Sequence, residues 1–173
     1  MDTQQRDLFY LDRESLERLG GTVGLLLPGK QVVLTGTAVH REPEALRGNP
    51  ALEPFRQEDF HFFFEGDTVR PEFYTVPAVV LLGRDSAGGW FASVGEEGAF
   101  QDNAPLFYLS AERKAYAVTG ESRQFLTGNF RWRETLRPTD AVRVYASRQE
   151  AEREYRIHNA VRSDPDGGVL FCP

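Results

Sequence analysis

The sequence predicts an α+β fold built mainly from an antiparallel β-meander, with short helices around it. Four short apolar or alternating segments follow one another between residues 78 and 118, at spacings that suit hairpin connections. Helix signals occur near the N-terminal end, directly after these segments and near the C-terminus. With 173 residues, 40% of them hydrophobic, we expect residues 1–173 to form a single domain with a buried core.

The meander is predicted from residues 78–82, 90–94, 106–109 and 115–118. Segments that contain turn-forming Gly, Asp, Ser and Pro residues separate the four apolar runs. Short apolar runs bounded in this way are typical of strands that pair with their neighbours in chain order. We therefore expect one antiparallel sheet over residues 78–118.

The N-terminal half contains one clear helix signal and several weaker strand signals. Asp12 is placed to cap a helix over residues 13–19, with Leu11 and Leu16 as a hydrophobic staple and a Gly-Gly pair as the stop. Between residues 40 and 54, three prolines limit helical structure to a single turn. Strand character is predicted at residues 25–27, 31–35, 60–64 and 68–77.

The C-terminal third predicts a short helix over residues 121–126, then a strand over residues 141–146 with one buried face. Ser147 and Glu150 form a capping-box pattern, which predicts the start of a further helix. An apolar stripe continues this helix up to the turn residues 163–168, and consists of Ala151, Tyr155, Ile157 and Val161.

Composition excludes several classes of protein. The chain has 26 acidic and 20 basic side chains, so its net charge of −6 opposes broad phosphate neutralisation and favours a basic partner, although such a charge also serves solubility. Cys172 is the single cysteine, so neither an internal disulfide nor a cysteine-based zinc site is expected. Without a leader pattern or an apolar run of the roughly 20 residues that a span needs, we expect a cytoplasmic protein with no membrane partner.

Residues 76–126 resemble the SUKH superfamily, whose members typically show a G-x-D-x-x-G-G hairpin, an aromatic strand, a strand like "pvyyl" and a helix like S-F-x-x-F-L. The corresponding stretches here are Gly83-Arg84-Asp85-Ser86-Ala87-Gly88-Gly89, Trp90-Phe91-Ala92, Pro105-Leu106-Phe107-Tyr108-Leu109 and Ser122-Arg123-Gln124-Phe125-Leu126. Arg123 occupies the position at which the family's helix has its first aromatic residue. The helix that precedes the sheet in the family does not follow Leu27-Pro28.

The resemblance implies a compact α+β domain that binds other proteins. Many bacterial SUKH proteins are immunity proteins that neutralise toxins, often nucleases, and fungal relatives regulate cell-wall synthesis. The expected function is therefore a non-enzymatic protein-binding module, acting as a cytoplasmic immunity or regulatory protein on a partner such as a basic nuclease toxin. No cofactor and no metal ion are expected.

The candidate partner-binding residues combine acidic charge with one aromatic side chain. Complementary charge speeds the encounter with a basic partner, and a desolvated aromatic residue supplies local binding energy. Taken singly, the acidic residues also fit solvated turns, and the aromatic residue also fits a core position in a strand. The five candidates are Asp85, Trp90, Glu96, Glu97 and Asp102.

Two other functions are weighed against this interpretation. A small-molecule enzyme finds little support, because His40, His61 and His158 stand in none of the usual ligand or catalytic spacings. A single-stranded nucleic-acid binder would use residues 113–137, where six cationic residues outnumber two acids and aromatic residues interleave with arginines. The residues concerned are Arg113, Lys114, Arg123, Arg131, Arg133 and Arg137, with Phe130 and Trp132. The alternative is a loop in which Phe130 and Trp132 pack on the core while the arginines face water. We favour this alternative, because the acidic remainder of the chain would repel a polyanion.

Overall fold

The computed structural model describes residues 8–18, 31–94, 105–119, 131–162 and 169–171. Strands and short helices alternate along the chain, which confirms the predicted α+β class. In chain order the elements are β1 Leu8–Asp12, α1 Arg13–Arg18, β2 Gln31–Thr35, β3 Thr37–Val39, the 3₁₀ helices η1 Glu44–Leu46 and η2 Pro50–Leu52, α2 Glu53–Gln57, β4 His61–Phe62, β5 Tyr74–Val76, β6 Val79–Arg84, β7 Trp90–Ser93, β8 Leu106–Leu109, β9 Ala115–Thr119, the 3₁₀ helix η3 Trp132–Thr135, β10 Arg137–Pro138, β11 Arg143–Tyr145, α3 Arg148–Ala151, β12 Ile157–His158, β13 Ala160–Arg162 and β14 Val169–Phe171.

The central sheet contains seven strands in the order β10-β9-β8-β7-β6-β3, with β4 also paired to β6. Strands β6 to β9 pair antiparallel with their neighbours in chain order, so the predicted meander is confirmed. Strand β3 pairs parallel with β6 and makes the sheet mixed, which the turn spacing did not predict. Strand β4 takes over the same edge of β6 where β3 ends.

Both faces of the central sheet are covered, which explains the unbroken apolar run at the start of β6. On one face, Phe60, Phe91 and Trp132 pack with α2 and η3 in the larger aromatic cluster. On the other face, Phe63 and Val142 pack against residues of β6, β7 and β8. The edge strand β10 is exposed, so the sheet meets solvent there.

A second sheet joins three parallel strands in the order β12-β1-β2. Helix α1 follows β1 directly, and the Asp12 carboxylate accepts a hydrogen bond from the Ser15 backbone N–H at 2.9 Å, so the predicted cap is confirmed. Leu11 and Leu16 are both buried in one small cluster, as a hydrophobic staple requires. The predicted strand at 25–27 and the predicted helix at 121–126 lie outside the described residues.

The long C-terminal helix predicted from the apolar stripe is wrong. Ser147 does cap a helix, but α3 ends at Ala151, and the chain continues as strands β12 and β13. Ile157 pairs with Tyr10 of β1, so part of the stripe forms a sheet edge instead of a helix face. Tertiary pairing outweighs a modest helix propensity here, because isolated helices of this length are marginal in water.

The strand predicted at residues 141–146 is shorter and buried differently from the prediction. Strand β11 spans Arg143–Tyr145 and pairs antiparallel with β5. The alternation places Val142, Val144 and Ala146 on the buried face and Arg143 and Tyr145 on the other. In the structure Tyr145 is buried with Val76 and Ala151, while Val142 is buried in the central core. Each face of this segment therefore has one buried side chain, while Arg143 and Ala146 are exposed.

Candidate partner-binding surface

The turn between β6 and β7 is organised by Asp85, whose side chain is only 5% exposed. Its carboxylate accepts hydrogen bonds from the backbone N–H groups of Ala87 and Gly89, at 3.1 and 2.7 Å, and from the Tyr108 hydroxyl at 2.7 Å. The Asp85 backbone N–H donates to the Gly89 carbonyl at 3.2 Å and closes the turn. Asp85 therefore holds the turn from inside, and the structure does not leave its charge exposed to a partner.

Close contacts and backbone conformation explain why glycines occupy these positions in and beside the turn. Gly88 has a φ of +86°, which disfavours other residues. A Cβ atom at Gly89 would overlap the Tyr108 side chain, and one at Gly83 would meet the His61 carbonyl. Burial and the Asp85 carboxylate both raise the pKa of Tyr108, so its hydroxyl stays protonated as a donor. The segment that carries the family resemblance is thus a rigid hairpin turn, as the sequence predicted.

Trp90 begins β7 and is half-buried at the edge of the second core cluster. Its ring packs against Phe63 at a centroid distance of 5.8 Å and edge-on against Phe73 at 5.5 Å. These contacts support the indole on one side and leave part of it accessible. Trp90 is therefore both a core contact and a surface aromatic residue.

The strand registers place three side chains in one row across the sheet. His61 of β4 lies opposite Arg84 of β6, and Arg84 lies opposite Trp90 of β7. Directly opposed residues in antiparallel strands share a face, so these side chains are neighbours. Arg84 is exposed, and the His61 side chain is 47% exposed. We call His61, Arg84 and Trp90 the hairpin row.

Asp59 lies beside the hairpin row and forms hydrogen bonds with the side chains around it. Its φ is +61°. Its carboxylate accepts hydrogen bonds from His61 Nε2 at 2.9 Å, the Ser86 hydroxyl at 2.7 Å and Arg133 at 2.9 Å. Burial acts to raise the pKa of Asp59, but these hydrogen bonds outweigh it and hold the pKa below its usual range. The carboxylate stands between the serine and the histidine, whereas a nucleophilic triad needs the histidine between the other two. The cluster therefore braces the turn.

Trp132, which lies in the basic segment of residues 113–137, is not accessible for stacking on a base. Trp132 is 2% exposed and donates its indole N–H to the Glu58 carbonyl at 2.7 Å. Arg133 stacks over the indole at 4.3 Å and is also paired with Asp59. The structure therefore contradicts the stacking role weighed for Trp132, because the ring belongs to the core. Phe130 and Arg123 lie outside the described residues.

The predicted acidic candidates Glu96, Glu97 and Asp102 also lie outside the described residues. Trp90 starts β7, and the acidic segment follows the other end of this strand. Strand β7 has four residues, and four extended residues span about 13 Å. The whole strand therefore stands between Trp90 and the residues that precede Glu96 in the chain.

The three histidines have contacts of their own. His40 lies 3.2 Å from a Glu42 carboxylate oxygen, His61 binds Asp59, and His158 stacks on Phe9 at 4.2 Å. Within the described ranges, no group of three or more His, Cys, Asp or Glu side chains is arranged to hold a metal ion. No helix of the described part is long and apolar enough to cross a membrane.

Comparison with known proteins adds no assignment. No protein-family model, no curated protein and no solved structure matches this chain. The functional argument consequently depends on the geometry of the hairpin row and on the residues that support it.

Proposed function

We propose that this protein is a non-enzymatic binding module that receives a protein partner on the hairpin row, with Trp90 as the anchor. The observation that carries the proposal is a half-buried tryptophan that packs against two other aromatic rings and lies opposite an exposed arginine. Tryptophan and arginine are among the residue types that contribute most to binding at protein interfaces. The resemblance to SUKH proteins supports an immunity or regulatory role.

The rigidity of the hairpin supports the same proposal. Asp85 holds the turn from inside and Asp59 holds it from outside, so the row has a defined shape before any partner arrives. Binding to a preorganised surface loses less conformational entropy than binding to a mobile loop. The polar clusters near the row are engaged in this support, which favours recognition over catalysis.

Charge favours a basic partner, such as a nuclease toxin. The net charge is −6, and much of the acidic excess falls in segments outside the described residues, including Glu96, Glu97 and Asp102. These charges would steer a basic protein towards the molecule, while Trp90 would supply contact after encounter. The two contributions are separable, since one changes the association rate and the other changes the dissociation rate.

The test begins with the affinity-tagged chain in the cells from which it comes. A basic protein should co-purify with the wild-type chain, and its affinity for the purified chain is then measured by biolayer interferometry. Trp90→Ala should weaken binding at least tenfold, because it removes the anchor. Tyr116→Ala is the matched control, since Tyr116 is another half-buried aromatic residue of the same sheet but packs against the opposite core cluster.

The control should bind within about threefold of the wild type, and thermal melts should show both variants folded. Unchanged affinity of Trp90→Ala would remove the hairpin row as the interface. The absence of any stoichiometric protein partner would overturn the binding-module proposal itself.

A further inference from the structure

A cavity of about 380 Å³ lies beside β4, between this strand and the segment that carries η2 and α2. Leu52, Phe62 and Phe64 supply apolar surface to its lining, and arginine side chains supply charge. The volume falls within the range of small-molecule sites, near its lower end. A lining of apolar groups with a few polar groups is the usual composition of such sites.

The acidic side chains of the lining are already neutralised or enclosed. Asp67 accepts hydrogen bonds from Arg47 at 2.8 Å and from the Phe64 backbone N–H at 2.9 Å. The Asp85 carboxylate is turned into the β6–β7 turn and Tyr108. Arg47 is held by Asp67 and Glu44, and it also stacks over Phe64 at 4.6 Å. Asp67, Asp85 and Arg47 thus have partners within the protein, and Arg56 and Arg84 are the other two arginines of the lining.

Arg56 has one donor, its Nε atom, that no described residue satisfies. Its contacts with the Glu53 carboxylate, at 3.1 Å, and with the Asn49 carbonyl, at 3.3 Å, both use one terminal nitrogen. The Nε atom is shielded from solvent and has no hydrogen-bond partner within the described residues. A shielded donor without an acceptor is unfavourable, so a small shift of the guanidinium towards an entering oxyanion would be stabilising.

Arg84 supplies a second guanidinium group to the lining. It lines the cavity and is exposed, and it forms no ion pair with any residue in the described ranges. Two guanidinium groups beside an aromatic wall suit a ligand with an anionic end and a flat apolar body. An arginine can bind a carboxylate or a phosphate through two parallel hydrogen bonds, which makes both groups suitable ends.

We propose that this cavity binds a small organic oxyanion, with its carboxylate or phosphate facing Arg56 and Arg84 and its apolar body against Leu52, Phe62 and Phe64. The site is separate from the protein-binding role of Trp90, which does not line the cavity. His61 and Arg84 line the cavity and also belong to the hairpin row, so an occupied cavity would change the charge of that row. The inference does not rest on the proposed function.

The test is a calorimetric titration of the purified chain with three probes that share one ring system. The probes are 1-naphthyl phosphate, 1-naphthoate and neutral 1-naphthol, with inorganic phosphate as a fourth titrant. We expect saturable 1:1 binding of at least one naphthyl anion, and binding of 1-naphthol at least tenfold weaker. The two anions distinguish a phosphate ligand from a carboxylate ligand. Inorganic phosphate should bind at least tenfold more weakly than the better anion, because it lacks the apolar body.

Variants locate the site. Arg56→Gln and Arg84→Gln should each weaken the anion by about tenfold, the effect of losing one charge-assisted hydrogen bond. Arg137→Gln is the matched control, because Arg137 is an exposed arginine on the far edge strand β10. Equal affinity for 1-naphthol and the anions, unchanged binding in both variants, or no binding of either anion would each overturn the proposal. No protein partner enters this assay, so its failure leaves the proposed function untouched.

Discussion

Two aspartates illustrate how single residues set the shape of the candidate surface. Asp85 gathers three donors beneath the β6–β7 turn, and Asp59 gathers the Ser86, His61 and Arg133 side chains beside it. The pKa of Asp59 lies below its usual range, so this group stays ionised at neutral pH and is a poor general base. Both carboxylates therefore act as structural acceptors.

Replacing Asp85 tests this role. Asp85→Ala leaves the Gly89 N–H and the Tyr108 hydroxyl without their acceptor, so the free energy of unfolding should fall by about 2–3 kcal/mol. Tyr108→Phe should cost about 1 kcal/mol, since it removes one of the three hydrogen bonds to Asp85. The double variant should lose less than the sum of the two, because the orphaned hydroxyl is then absent. Urea denaturation of the four proteins measures this coupling.

The control for this cycle is Glu112→Ala, an exposed acid in the neighbouring β8–β9 turn, which should leave the urea midpoint nearly unchanged. Strictly additive losses for Asp85 and Tyr108 would show that their hydrogen bond does not contribute as the geometry indicates.

Among the elements, the C-terminal segment shows how pairing competes with helix formation. Residues 155–162 contain apolar side chains at helical spacing, yet Ile157 and Val161 are β-branched and suit strands. Strand β1 offers an edge on which β12 pairs in parallel. The short helix α3 consequently ends after its capped first turn, and Tyr155 lies in the connection.

Truncation of Tyr155 tests how much this connection contributes. Its ring lies 4.8 Å from the ring of Tyr10 and 6.1 Å from that of Tyr145, but it is only half-buried. We expect Tyr155→Ala to lower the free energy of unfolding by about 2 kcal/mol, below the value for a fully buried ring. The exposed neighbour Arg153 supplies the control variant Arg153→Ala. Equal melting midpoints for the two variants would show that the ring contributes little to the core.

For the whole molecule, the aromatic anchor and the acidic candidates stand at different positions in the chain. Trp90 starts the strand, while Glu96, Glu97 and Asp102 follow its end. The two sets of side chains would contribute to binding in different ways. Long-range attraction by the acids and short-range contact by Trp90 would then act on different steps of association.

Charge reversal separates these steps. Glu96→Lys combined with Glu97→Lys should slow association with the basic partner and weaken its dependence on salt, while the melting midpoint stays nearly unchanged. The matched control combines Glu14→Lys and Glu17→Lys on α1, which changes the net charge equally at another place. Stopped-flow association rates at several salt concentrations give the comparison. Equal slowing by both pairs would assign the effect to net charge alone.

The sequence predicted much of the meander, the Asp12 cap, the Ser147 cap and the hairpin turn before Trp90. Each of these features depends on residues within a few positions of one another, so turn chemistry and apolar alternation reveal them directly. Within the candidate site, the sequence identified Trp90 but missed the role of Asp59, since Ser86 and Arg133 are far from it in the chain. The D-x-H spacing of Asp59 and His61 was its one local signal.

The remaining features arise from contacts that no short window of sequence contains. The parallel sheet of β1, β2 and β12 joins segments from opposite ends of the described chain, and the burial of Asp85 depends on Tyr108 in another strand. The composition already established an acidic chain with one cysteine, because these properties need no folding. Which charges are enclosed, which arginines line a cavity and which aromatic ring reaches the surface follow from packing, since burial is a property of the assembled core.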